Sequence, residues 1–244
     1  MTRALWYLLT LSAATLWFGG RMILAALIGV PHRPGGLYDR SPRGWADVLL
    51  RTNGIRVSSA GEQQGAAAGP VVYAVNHLSF VDVWAVLAVV PGQVRFVAKQ
   101  ELAWIPFLGQ ALRAGSHIFI DRKDLLAAKV SYERAAGAIR SGLSALIFVE
   151  GTRARDGQLQ PFKKGAFVLA IAAQVPVVPV WIEGTYGILP KGSIRLRPAP
   201  VTVRFGPPIS TEGLEYDDRD GLSDRCREAM LDLAGGPMVS GSTV

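Results

Sequence analysis

Val71-Val72-Tyr73-Ala74-Val75-Asn76-His77-Leu78-Ser79-Phe80-Val81-Asp82 passes from an apolar run of strand character into a polar turn, and residues 83–90 continue as an apolar stretch suited to a buried helix. A strand that turns into a helix at this point predicts an α/β fold, and places His77 at a strand end, where sites in such folds gather. The spacing sets an imidazole and a carboxylate five residues apart. An imidazole titrates near neutrality and can take a proton from a hydroxyl, while a carboxylate on its other nitrogen fixes the tautomer and steadies the cation that forms. His77 is therefore a candidate general base and Asp82 its orienting partner. The same residues also fit a plain helix start, with Ser79 as N-cap and Asp82 at the third helical position of a capping box. The two roles are compatible if one carboxylate oxygen caps the helix and the other holds His77.

Two more apolar runs end in comparable polar turns. Residues 143–148 lead into Val149-Glu150-Gly151-Thr152-Arg153, and Ile118-Phe119-Ile120 leads into Asp121-Arg122. Gly151 allows close backbone approach to a ligand, and the planar forks of Arg122 and Arg153 match a phosphate, although both also suit surface pairing with Asp121 and Glu150. Thr152 either donates a hydroxyl to a ligand or caps the turn. In Val175-Pro176-Val177-Val178-Pro179-Val180-Trp181 the prolines predict an edge strand or a strand entry.

Taken in order, the blocks at 76–82, 115–122, 148–153 and 175–180 resemble the glycerolipid acyltransferase family typified by 1-acylglycerol-3-phosphate acyltransferase, over roughly residues 55–210. Lys99 and the following Glu101-Leu102-Ala103-Trp104-Ile105-Pro106-Phe107-Leu108-Gly109 resemble the stretch that contributes to acceptor binding in that family. The departures are Val149, where the family usually has proline, Ala154, where serine is frequent, and His117 inside the second block.

The resemblance implies transfer of a fatty acyl chain from a thioester donor, acyl-CoA or acyl carrier protein, to the sn-2 hydroxyl of lysophosphatidic acid, giving phosphatidic acid. It implies His77 as base, Asp82 as orienter, and Lys99, Arg122, Glu150, Gly151, Thr152 and Arg153 as substrate-binding residues, with no cofactor and no metal. Beside a phosphate, Glu150 fits better as a brace for Arg153 or the turn than as a contact. Direct attack on the thioester needs no acyl-enzyme, and the sole cysteine, Cys226, lies in a polar C-terminal stretch remote from every block. Holding donor and hydroxyl together supplies up to ~7–11 kcal/mol and the base ~10²–10⁴-fold, so positioning outweighs proton transfer. Backbone amides at the start of the helix after His77 are candidate oxyanion donors. Two rival functions remain: transfer to another lysolipid, such as a lyso-ornithine lipid or lysophospholipid, and a membrane lipid-binding protein without catalysis.

The chain carries 26 Lys and Arg against 19 Asp and Glu, a formal charge of +7, and a pI near 9.9. That balance favours anionic lipid surfaces and anionic substrates. Nucleic acid is disfavoured as a partner, because no helix-turn-helix, zinc-ligand spacing or aromatic-basic stripe is present. His117 reads as a structural histidine at a strand start, and His32, beside Arg33, shows no partner in sequence.

Residues 4–20 carry no charge and, after Arg21, residues 22–30 are apolar again. The first piece sits at the lower end of the ~17–25 residues that span a bilayer. It reads as one membrane helix containing Arg21, as a pair of apolar segments lying in one leaflet, or, least well, as a secretory signal, since no small-residue cleavage site follows. His32, Arg33, Arg40 and Arg43 place the following segment on the cytoplasmic face of the cell's inner membrane. The expected organisation is a membrane anchor and basic loop at 1–45, an acyltransferase domain at 46–234 and a disordered tail at 235–244. Within the domain, a mixed, largely parallel sheet is flanked by helices, with a flexible loop at 61–70, a last strand at 201–205 and a peripheral helix at 217–234.

Overall fold

The apolar runs assemble into one seven-stranded sheet covered by helices on both faces. The structure, a computed structural model, describes residues 2–120 and 125–235; Asp121, Arg122 and all but Gly235 of the expected tail at 235–244 lie outside them. The strands are β1 (Val57–Ala60), β2 (Val72–Val75), β3 (Val94–Lys99), β4 (Ile118–Ile120), β5 (Ser144–Phe148), β6 (Val177–Glu183) and β7 (Val201–Phe205), in the spatial order β1-β7-β6-β2-β5-β3-β4. The five strands β6-β2-β5-β3-β4 run parallel, and β7 joins β6 antiparallel with β1 parallel to β7. The sheet is thus mixed and largely parallel. Its central strand β2 is buried at every residue, as expected of a strand covered on both sides.

The helices are α1 (Arg3–Leu27), α2 (Leu37–Thr52), α3 (Glu62–Ala67), α4 (Val81–Val89), α5 (Leu108–Ala114), α6 (Leu125–Arg140), α7 (Gly165–Ala173) and α8 (Arg219–Gly235). Residues of α1, α2 and α4 share one core with a face of the sheet, and residues of α6, α7 and α8 share the other. Trp84 anchors the first core, with Tyr7 at 5.9 Å, Phe80 at 5.8 Å and Trp45 at 6.3 Å, the last two edge to face. Such contacts add about 0.5–1.5 kcal/mol each beyond the area they bury. Cys226 lies fully buried in the second core, where burial pushes its thiol up to about 12.

Two expectations are corrected. The segment at 175–181 is no edge strand, because β6 lies between β7 and β2. Pro179 is tolerated there because its carbonyl takes the amide of Gly206 at 2.8 Å just where regular pairing ends at Val180↔Phe205 and only the bridge Val177↔Ile209 follows. The missing N–H falls at an existing break in the ladder. Pro176 does mark the strand entry, its carbonyl accepting from Val72 at 3.0 Å. The loop expected at 61–70 contains the short helix α3.

At the N-terminus the structure selects among the readings left open. α1 is one continuous helix rather than two apolar pieces, because Arg21 projects from its exposed side. Tyr7, Ala14, Gly19, Met22 and Ala25 form its buried stripe against α2 and α5. A Cβ at Gly19 would lie 2.9 Å from the Phe107 ring, so a larger residue there would push the ring aside. The outer side is apolar and open, with Trp17 at 64% and Leu24 at 60% exposure. α1 is long and apolar enough to cross a membrane, yet it is docked along its length on the domain. The division expected at 45/46 falls inside α2.

Candidate active site

Parallel strands deliver their carboxyl ends to one edge of the sheet, which is where ligands bind in open α/β folds. At this edge β2 leads into Asn76 and His77, β5 into Val149 to Arg153, β3 ends in Lys99, and β6 leads into Thr185. Asn76 extends β2 by imitation. Its side-chain oxygen accepts from Ile182 N at 2.6 Å and its amide donates to Ile182 O at 2.9 Å, so the buried side chain pairs with β6 as a peptide unit does.

The backbone of His77 is held by the turn after β5. Its N–H donates to Glu150 Oε1 at 2.6 Å, and its carbonyl accepts from Ala154 N at 2.9 Å. The ring stacks on Phe148 with centroids 4.0 Å apart. Nδ1 lies 2.8 Å from Asp82 Oδ2, with the His77 side chain 15% exposed and Asp82 fully buried. That bond places the ring proton on Nδ1 and leaves Nε2 as the basic nitrogen. Among the described residues Nε2 has no hydrogen-bond partner.

Asp82 belongs to the first turn of α4, where a negative charge also suits the helix dipole. Its Oδ2 accepts from Leu78 N at 2.6 Å and Ser79 N at 2.7 Å in addition to His77. Oδ1 accepts from the Thr185 hydroxyl. The division expected from sequence, one oxygen for the helix start and one for His77, is therefore corrected: Oδ2 performs both tasks. Ser79 does not close the expected capping box, since its hydroxyl takes Val81 N at 3.3 Å and donates to Leu189 O at 2.9 Å. The amides of Leu78, Ser79 and Val81 are all engaged within the turn, which removes them as oxyanion donors.

Glu150 is 2% exposed. Its second oxygen accepts from Gln160 N at 2.9 Å. Burial raises its pKa above the ordinary carboxylate range, against the two backbone donors that favour the charge. Both oxygens are thus committed to the chain itself, and Glu150 braces His77. Gly151 adopts φ 70°, a left-handed conformation that glycine takes without strain. Thr152 is exposed and accepts from Lys191 Nζ at 2.9 Å.

Arg153 is half-buried, and its side chain has no hydrogen-bond or ion-pair partner among the described residues. Its positive charge reaches the Tyr7 phenol on α1, whose pKa burial raises and Arg153 opposes. Lys99 is exposed at the end of β3. Arg122 lies outside the described residues.

Of the other histidines, His117 takes the amide of Phe96 on Nδ1 at 3.0 Å. Burial, then the charge of Arg95, pushes it down to about 3, so it stays neutral as a structural group. His32 has a partner after all, stacking on Tyr38 at 3.8 Å. Thr185 and Lys191 escaped the sequence reading. Both lie on the loop after β6, and only the parallel pairing of β6 with β2 brings that loop to His77.

Known proteins resemble this chain in sequence and in fold. The family model described as acyltransferase matches residues 56–183, from just before β1 to the end of β6. The chain is 35% identical over 218 residues to a 1-acyl-sn-glycerol-3-phosphate acyltransferase of Limnanthes douglasii, covering 88% of this chain and 75% of that protein. The chain belongs to the acyltransferase family. A Homo sapiens acyltransferase, the 1-acyl-sn-glycerol-3-phosphate acyltransferase alpha, is 38% identical over 179 residues, 73% of this chain and 63% of that one. The fold of this acyltransferase is also that of the crystal structure of the 1-acyl-sn-glycerophosphate (LPA) acyltransferase PlsC from Thermotoga maritima, with a TM-score of 0.78 over 97% of each chain at 22% identity.

Proposed function

We propose that this acyltransferase moves a fatty acyl chain from a thioester donor, acyl-CoA or acyl carrier protein, to the sn-2 hydroxyl of lysophosphatidic acid. The observation that carries the reading is the Nε2 of His77, without a hydrogen-bond partner among the described residues and backed by buried Asp82, with Arg153, likewise unpartnered among them, on the turn whose Ala154 amide holds the His77 carbonyl. The printed names of the curated relatives supply the acceptor. Nε2 takes the acceptor's hydroxyl proton as the oxygen attacks the thioester carbon. The carbon–sulfur bond then breaks, and the imidazolium returns the proton to the departing thiolate. Asp82 steadies the imidazolium between these steps. No acyl-enzyme forms, and the buried Cys226, on the far side of the sheet's core, is no nucleophile for one. No cofactor enters, since the thioester is already activated.

Arg153 is the proposed phosphate anchor, with Lys191 adding charge through the Thr152 turn and Lys99 and Arg122 as further cations. Glu150 and Gly151 set the turn rather than touch the anion. One experiment tests substrate and anchor together. Purified protein in detergent receives a labelled acyl thioester and a panel of lysophosphatidate, lysophosphatidylcholine and a lyso-ornithine lipid. Lysophosphatidate is the preferred acceptor, and Arg153→Ala raises its KM about 10- to 100-fold, the loss of one or two charge-assisted bonds, with a smaller change in kcat. Preference for another acceptor overturns the substrate, and an unchanged KM removes Arg153 from the site.

We further propose that the enzyme works on the cytoplasmic membrane face, with the open apolar side of α1 in the lipid and its buried stripe on the domain. Deleting α1 would uncover the core, so exchanging its outer residues is the cleaner test. Trp17→Glu with Leu24→Glu moves the chain from the membrane to the soluble fraction and leaves its thermal midpoint within a few degrees. Retention on membranes through a high-salt wash would show that another surface inserts.

A further inference from the structure

The two oxygens of Asp82 do different work. Oδ2 collects three donors: the His77 ring and the amides of Leu78 and Ser79. Oδ1 faces away from them and has one donor, the hydroxyl of Thr185, which lies 103 residues later in the chain. Both side chains are fully buried. We propose that Thr185 is a positioning residue for acyl transfer, whose hydroxyl holds Asp82 in the orientation that presents Oδ2 to His77. The inference rests on the reading of His77 as general base.

A buried carboxylate with every donor on one oxygen has nothing to fix its plane, and its second oxygen is left without water or partner. Thr185 supplies the missing donor from the opposite side and thereby clamps the plane. The loop is shaped to do this. Gly184 turns at φ 92°, and a Cβ there would lie 2.4 Å from the carbonyl oxygen of Pro200, so the approach that aims Thr185 inward needs glycine. The Thr185 carbonyl accepts from Ile188 N at 3.0 Å, which folds the loop back on itself.

The same loop touches the other parts of the site. The Leu189 carbonyl accepts from Ser79 Oγ at 2.9 Å. Tyr186 donates from its hydroxyl to Arg155 O at 2.8 Å, and Lys191 to Thr152 Oγ1 at 2.9 Å. The turn that carries the base and the turn that carries Arg153 are thus tied to one short segment after β6. Thr185 is its only side chain that reaches the dyad among the described residues.

Thr185→Val keeps shape and removes the hydroxyl, Thr185→Ser keeps the hydroxyl, and Thr185→Cys offers a weaker donor. These are measured with His77→Ala in detergent, using a long-chain acyl thioester and lysophosphatidate, for kcat, both KM values and thermal midpoint. The valine variant loses about 10- to 100-fold in kcat with both KM values unchanged, as expected for one bond to a buried charge. Serine restores kcat to within about threefold of the parent, and cysteine falls between. In an Asp82→Asn background, Thr185→Val adds less than about threefold, because the effect runs through the carboxylate.

Parental kcat in the valine variant overturns the proposal, and so does a serine variant as slow as valine. If valine fails to fold, the serine and cysteine variants decide, and a cysteine variant at parental kcat overturns it. His77→Ala separates the two levels: if it is inactive while Thr185→Val is parental, only the role of Thr185 falls. If His77→Ala itself turns over at the parental rate, the base assignment falls with it.

Discussion

His77→Ala lowers kcat by about 10²- to 10⁴-fold, the range a positioned general base supplies, and leaves both KM values and the fold nearly unchanged. The separation follows from how the residue is held. Its N–H and carbonyl are bonded to Glu150 and Ala154 through the main chain, and those bonds survive any side chain. Asp82 keeps the amides of Leu78 and Ser79 on Oδ2 and the Thr185 hydroxyl on Oδ1, so no buried charge is stranded. What disappears is the stack on Phe148 and the one nitrogen with no structural duty. Steady-state assays with the thioester donor, paired with a thermal melt, check this. A variant that folds and transfers acyl chains at the parental rate would remove His77 from the chemistry.

The strands were legible where apolar runs end in polar turns. Val72–Val75 and Ser144–Phe148 emerged within a residue or so, because burial on both faces leaves a nearly uninterrupted apolar run, whereas Val201–Phe205 was marked by the prolines that bracket it. The prolines of β6 misled, since the rule that expels proline from interior strands assumes a continuous ladder. Pro179 sits where the ladder to β7 is already broken by Gly206-Pro207-Pro208, a feature of the partner strand rather than of its own. At the N-terminus Arg21 divided the apolar pattern in sequence but not in space, because it projects from the open side of α1.

In the site, the pairing of His77 with Asp82 was readable because both members are local, five residues apart. The hydrogen-bond bookkeeping was not. The amides of Leu78, Ser79 and Val81, among those expected as oxyanion donors, turned out to be spent on Asp82 and Ser79, a matter of side-chain direction that spacing cannot express. Glu150 was legible as a brace, but the groups it braces were not, since its two oxygens fall on His77 N and Gln160 N rather than on Arg153. Thr185 and Lys191 had no signal of their own. They reach the site only because β6 pairs in parallel with β2, which brings the two carboxyl ends to one edge.

Asp82→Asn and Asp82→Ala separate the two duties of this carboxylate. Asparagine can keep the packing, with its oxygen at the Oδ2 position accepting from Leu78 N, Ser79 N and His77, and its amide facing the Thr185 hydroxyl, which can accept as well as donate. What it lacks is the charge that steadies the imidazolium. Asp82→Asn therefore folds with a thermal midpoint within a few degrees of the parent, yet loses about 10²- to 10⁴-fold in kcat. Alanine leaves two buried amides and a buried hydroxyl without partners at about 1–3 kcal/mol each, a large fraction of the stability of an ordinary domain. Asp82→Ala is expected to lose both activity and cooperative melting near the parental midpoint. An asparagine variant that is fully active would show that the charge is not needed. An alanine variant that melts with the parent would show that the turn from His77 to Ser79 is held by something other than this carboxylate.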